Sequence, residues 1–147
     1  MKIDTKYHGN IDVQKDEIIH FEKGIPGFGD ETEFVLLPFS DDELFMILQS
    51  VKTAQLGFVL TSPFTFFKDY DFTLGQATID QLQIMIEQDV SVYVMLTILD
   101  PFENSTANLQ APIILNQKKN LAKQVILTNT SYQTKHKLFQ ENVETVK

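Results

Sequence analysis

The 147-residue chain contains no cysteine and no arginine. The first absence excludes disulfides, thiolate metal sites and a cysteine nucleophile, and it fits a reducing compartment. The second leaves no guanidinium fork for phosphate, which weakens any case for gripping nucleic acid. Long apolar runs are missing too, far short of the roughly 20 residues of a membrane helix. The start, Met1-Lys2-Ile3-Asp4, lacks the basic end and apolar run of a secretory signal. These gaps point to a soluble cytoplasmic protein.

The charge that is present is uneven. The formal net charge is −8. Residues 1–110 hold 18 acids against 6 lysines, whereas residues 111–147 hold 2 acids against 6 lysines. An acidic body suits a basic protein partner better than RNA or DNA, although acidic surfaces also serve solubility alone.

Catalytic signatures are absent as well. There is no GxSxG, no phosphate-cradling glycine loop with lysine, and no HExxH. His8, His20 and His136 are scattered without metal-ligand spacing. Asp41-Asp42 or the Asp69 and Asp71 pair is compatible with a cation site or acid–base work, but each reads more simply as a solvated turn. The expectation is a protein without enzymatic activity, cofactor or metal; the alternative is a carboxylate-based hydrolase or metal-binding enzyme on a β-barrel.

The chain reads as one domain over residues 1–147, with seven to nine strands and one helix. Ile3, Thr5 and Tyr7 alternate with Lys2, Asp4 and Lys6 as a first strand, and Ile18–Phe21 gives a second. Phe34–Leu37, Leu44–Leu48 and Gly57–Leu60 follow as buried strands joined by turns. Phe64, Phe66 and Tyr70 either fill core or line a groove. Thr78-Ile79-Asp80-Gln81 has capping-box spacing, predicting a helix from about Ile79 to Glu87, with a strand carrying Leu82, Ile84 and Ile86 as the competing reading. From Val90 the period becomes two, with apolar residues on both faces, so this strand belongs at the centre with its second face covered. Pro112 places the strand Leu109–Leu115 on an edge or at a bulge, open to an added strand. Gln124–Leu127 returns antiparallel, and the last few residues are expected to fray. The fold class is therefore all-β and mainly antiparallel, a small pseudo-barrel of about seven to nine strands capped by one short helix.

The densest cluster of backbone constraints is Phe21-Glu22-Lys23-Gly24-Ile25-Pro26-Gly27-Phe28. Pro26-Gly27 is a type II turn centre. Such a joint either links two strands or presents Ile25 and Phe28. Phe102 sits in another turn, after Asp100-Pro101.

This segment, together with Leu48-Gln49-Ser50, Asp69-Tyr70-Asp71-Phe72 and Asn108-Leu109-Gln110-Ala111-Pro112-Ile113-Ile114, resembles the flagellar assembly factor FliW family in order and spacing, from the first strand to about Tyr132. The resemblance implies a β pseudo-barrel capped by a helix. It also implies a cytoplasmic, chaperone-like regulator, monomeric when free, that binds flagellin and the mRNA-binding translational repressor CsrA as alternative partners, without touching nucleic acid or membrane. For CsrA, which must present cations to RNA, the acids to test are Asp41, Asp42, Glu43, Glu87, Asp89 and Glu103. For a flagellin helix, the apolar candidates are Ile25, Phe28 and Phe102.

Overall fold

Pairing begins at the second residue in the computed structural model, which describes residues 1–128 and 130–139. β1 (Lys2–Asp4) and β2 (Asn10–Asp12) form an antiparallel hairpin. The expected single strand through Tyr7 breaks at Thr5, whose hydroxyl donates to the Gly9 carbonyl at 2.7 Å and accepts the His8 N–H at 2.8 Å. A threonine that bonds its local backbone in this way favours a turn over a ladder.

β3 (Ile19–Phe21), β4 (Glu33–Pro38), β5 (Phe45–Ser50) and β6 (Gly57–Thr61) come next, then α1 (Pro63–Phe66) and α2 (Gln76–Gln81). β7 (Val90–Thr97), β8 (Thr106–Ala107), β9 (Ile113–Asn116), β10 (Leu121–Gln124) and β11 (His136–Lys137) complete the described elements. The sheet runs β7-β6-β5-β4-β3-β10-β9 and closes when β9 pairs back onto β7, giving a seven-stranded barrel with β8 and β11 as extra strands. Among the described residues every strand pairing is antiparallel except β3 with β10. This is the all-β pseudo-barrel that the strand pattern predicts. The expected fraying of the last residues lies outside the described residues.

Closure corrects one expectation directly. β9 has β10 on one side and β7 on the other, so it offers no edge to a partner strand. Pro112 precedes β9, where its missing N–H costs no ladder bond, and its carbonyl accepts the Val125 N–H at 2.9 Å. β10 also begins before the predicted Gln124–Leu127, although the Leu127 N–H still reaches the Gln110 carbonyl at 2.8 Å.

Three apolar layers hold these strands. Phe21, Phe34, Leu48, Leu60, Ile113 and Leu115 fill the lumen. The residual void among the lumen side chains is about 10 Å³, too small to serve as a ligand chamber. Ile3, Val13 and Ile18 pack the N-terminal hairpin onto Val35, which faces outward from β4. Against Val94 of β7 lies a third layer of Tyr70, Leu109, Leu127 and Leu138.

The helix differs most from its prediction. α2 starts after Gly75 and ends at Gln81, so buried Thr78 lies inside it and does not cap it. Two side-chain bonds from Asn116 of β9 explain the stop: its amide donates to the Leu82 carbonyl at 2.8 Å and the Gln83 carbonyl at 3.1 Å. Gln83 takes φ 55°, and the chain leaves as Ile84-Met85-Ile86 instead of continuing the helix to Glu87. Two short helices therefore replace the single longer one. Among the described residues, no helix is long and apolar enough to cross a membrane.

Candidate partner-binding surfaces

The Phe21–Phe28 segment folds as two successive turns. The Gly24 N–H donates to the Phe21 carbonyl at 2.9 Å, and the Phe28 N–H to the Ile25 carbonyl at 2.6 Å. Gly27 at φ +87° follows Pro26, which is the arrangement a type II turn requires. Gly24, at φ +72°, is more constrained, because a Cβ there would sit 2.6 Å from the Gly29 carbonyl oxygen. Folding back in this way separates the two candidate side chains. Ile25 is only 2% exposed and packs in the barrel core, so it is not presented to a partner as the turn alone suggested. Phe28 is 42% exposed and rests edge-on against Phe58 at 5.6 Å. Truncating Ile25 to alanine should therefore cost about 2–4 kcal/mol of stability in a denaturant melt.

Asp41, Asp42 and Glu43 are exposed in the turn between β4 and β5. Asp42 accepts the Ser40 hydroxyl at 2.5 Å and the Leu44 N–H at 3.0 Å. The Ser40 bond first, then the Leu44 bond, holds its carboxyl below the usual range. Immediately after this turn, Phe45 meets Phe102 edge-on at 5.8 Å and stacks with Phe66 at 6.0 Å. Phe102 also contacts Phe139 at 5.4 Å. The ring of Phe45, two residues after Glu43, thus touches the ring of Phe102, the neighbour of Glu103. Phe102 remains 38% exposed.

Glu87 and Asp89 do not join that cluster. They occupy the 3-10 turn Glu87–Asp89 that leads into β7, and Glu87 lines a groove with Phe64, Phe72 and Met85. The aromatic stretch divides three ways. Tyr70 is core, Phe66 belongs to the Phe45 cluster, and Phe64 faces the groove at 46% exposure. Sequence reasoning missed Met85, which is 83% exposed, and placed Ile86 on a helix face, whereas it is 51% exposed. The cause, the Asn116 amide, leaves no local mark in residues 79–87.

The ion pairs among the described residues join the Met1 amino group to Asp12 at 3.1 Å and His20 to Glu33 at 3.9 Å. Asp41, Asp42, Glu43, Glu87 and Glu103 are exposed and Asp89 is half-buried, and none of the six is in an ion pair with the described residues. Nor do three metal-capable side chains converge anywhere among the described residues.

The remaining motif residues act as clasps. Buried Gln49 accepts the Lys6 N–H at 3.0 Å and donates to the carbonyls of Ser50 at 3.0 Å, Ala54 at 3.1 Å and Leu56 at 3.2 Å. Tyr70 donates its hydroxyl to the Leu109 carbonyl at 2.7 Å, and burial pushes its pKa above the usual tyrosine range. The Asn108 side chain accepts the Gln110 and Ala111 N–H groups, turning the chain before Pro112.

Ser50 and Thr53 donate hydroxyls to Glu31. Burial alone would raise the Glu31 pKa, but the two hydroxyls and the Lys52 charge outweigh it and hold the carboxyl below its ordinary value. A depressed folded pKa means that this stabilisation is present above the unfolded pKa of about 4.3 and is lost as pH falls through the folded value. Glu31→Gln should therefore be less stable than the native chain at pH 7, with the gap narrowing by pH 3. Urea midpoints at the two pH values measure it.

A closed barrel with a filled lumen, carrying acids and part-exposed aromatic rings on its surface turns, defines a β-barrel protein. The family described as FliW protein matches residues 2–138. The flagellar assembly factor FliW of Geobacillus sp. (strain WCH70) is 59% identical over 143 residues, which is 97% of this chain and 99% of that protein. The flagellar assembly factor FliW of Bacillus subtilis (strain 168) is 53% identical over 136 residues, covering 92% and 95%. A crystal structure of the flagellar assembly factor FliW superposes with a TM-score of 0.92 at 56% identity, covering 97% of this chain and 99% of that one. The chain belongs to the FliW family of flagellar assembly factors.

Proposed function

We propose that the chain is a cytoplasmic regulatory factor, monomeric when free, that binds unassembled flagellin and antagonises the translational repressor CsrA. Family membership over residues 2–138 carries this reading. While unsecreted flagellin is plentiful it holds the protein. Once flagellin is exported, the freed protein binds CsrA and lifts repression of flagellin translation. Acids outside any ion pair with the described residues, five of the six exposed, support the CsrA half, since a partner that must present cations to RNA is attracted to them and RNA is repelled. Asp41, Asp42, Glu43 and Glu103 are the strongest group because they flank, along the chain, the two rings of Phe45 and Phe102 that touch; Glu87 and Asp89 form a second. Phe28 and Phe102 are the proposed flagellin contacts, because both rings stay partly exposed.

A pull-down from the native cytoplasm tests the scheme. Flagellin and CsrA should both be recovered, and added flagellin should displace CsrA. Recovery of neither would sink the reading. Reversing Asp41, Asp42, Glu43 and Glu103 to lysine should abolish displacement of RNA from CsrA; surviving displacement would show that the acids are not the determinant. Phe28→Ala and Phe102→Ala should weaken flagellin binding about tenfold or more, while each lost ring contact costs only about 0.5–1.5 kcal/mol of stability beyond the loss of buried area.

A further inference from the structure

We infer that the groove between α2, the Ile84–Glu87 segment and the outer face of β7 docks an amphipathic helix of another protein, its apolar stripe flanked by lysine or arginine. β7 supplies the groove floor. Its outward residues Val94 and Leu96 are covered by the layer around Tyr70 and Leu109, but Val90 and Val92, one and two pleats earlier on the same face, line the groove instead. The groove has a volume of about 750 Å³. Met85, Ile86 and Phe64 form its exposed apolar walls. This is an unusual use of large apolar side chains on a protein whose lumen is already filled. The structure also holds them there actively, because the Asn116 amide ends α2 and sends Ile84–Ile86 outward.

The charges at the groove identify the occupant. Its only charged lining residues, Asp71 and Glu87, are both exposed acids. A small molecule would need convergent buried polar groups, and the polar residues here are these two acids and exposed Thr73. An anionic membrane would be repelled by the same acids, and a second copy of a chain with net charge −8 would set acid rim against acid rim. An apolar trough with a soft methionine wall suits a helix laid in by its i, i+3, i+4 stripe, with cations on the flank reading the acids.

The inference goes beyond the flagellin and CsrA reading, and its test can fail while the pull-down succeeds. The full chain is titrated with labelled synthetic peptides of about 18 residues, long enough to hold a helix. One carries a leucine stripe flanked by lysine, one the same stripe flanked by glutamate, and one the lysine sequence broken by a central proline. The lysine peptide should bind at least tenfold more tightly than either other. The double substitution Met85→Ser with Ile86→Ser should cost at least tenfold in that affinity at an unchanged Tm, and Asp71→Asn with Glu87→Gln should erase the preference for lysine over glutamate. Four results would overturn it: equal binding of the lysine and glutamate peptides, equal binding of the proline peptide, affinity indifferent to the serine pair, or a native dimer in sedimentation that the serine pair dissociates.

Discussion

Gln49→Ala is expected to lower the unfolding free energy by about 3–5 kcal/mol. The amide is fully buried, and both its ends are used. Its oxygen accepts the Lys6 N–H at 3.0 Å, tying the segment after β1 to the barrel wall, while its nitrogen faces the carbonyls of Ser50, Ala54 and Leu56, fixing the turn from β5 to β6. Truncation leaves several of these groups without a partner and opens a cavity, two costs that add. At about 2–4 °C per kcal/mol for a chain of this size, Tm should fall by roughly 10 °C. Gln49→Glu separates hydrogen bonding from volume. The introduced carboxyl keeps the shape but turns an anionic oxygen toward carbonyls, so its folded pKa is raised. A raised pKa contributes stability below the unfolded value and loses it as pH rises through the folded one. Gln49→Glu should thus sit closer to the native chain at pH 4 than at pH 7. If instead it matches the native chain at pH 7, the Gln49 nitrogen is not the donor that holds the turn.

What the sequence disclosed follows the range of the interactions. The type II turn at Pro26-Gly27 was legible because its chemistry is local: one residue fixes φ and its neighbour takes φ +87°. β7 was legible because a period of two over Val90–Thr97 permits little else. Barrel closure was not, since the register Val90↔Asn116 joins residues with β8 and two turns between them. The parallel pairing of β3 with β10 was equally hidden, because Leu121 meets His20 only when the barrel is closed.

The candidate surfaces divide along the same line. Phe102 and Glu103 lie in a turn, and the structure sets Phe102 against Phe45, the ring that follows the Asp41–Glu43 turn, a contact no spacing in the chain announces. Ile25 was misread because side-chain direction in a double turn depends on two positive φ angles at once, at Gly24 and Gly27, and these aim it into the core. The motifs that mark the family are mainly clasps: Gln49, Tyr70 and Asn108 bind backbone and face inward. Residues most useful for recognising the fold are therefore poor guides to its contacts, which have to be sought on the turns between them.

Asn116→Ala is the second large expected effect, about 3 kcal/mol, and it carries a consequence beyond stability. This amide, 1% exposed, serves two segments. Its nitrogen holds the Leu82 and Gln83 carbonyls, and its oxygen accepts the Lys118 N–H at 3.0 Å and the Lys119 N–H at 3.4 Å. Removing it leaves the end of α2 without partners for two carbonyls, so the chain beyond Leu82 is free to wind onward. Ile79, Leu82 and Ile86 already have helical spacing, and extension would draw Ile86 from the groove wall toward the body. A Tm fall of roughly 6–12 °C should therefore accompany a loss of lysine-peptide binding at temperatures where the variant is still folded. Met85→Ala gives the contrast, because an 83% exposed side chain holds nothing up: Tm should stay within about 2 °C while peptide affinity drops. Equal peptide affinity in Asn116→Ala and the native chain would mean that the groove keeps its shape without this clasp, and that Ile84–Ile86 are held outward by their own packing.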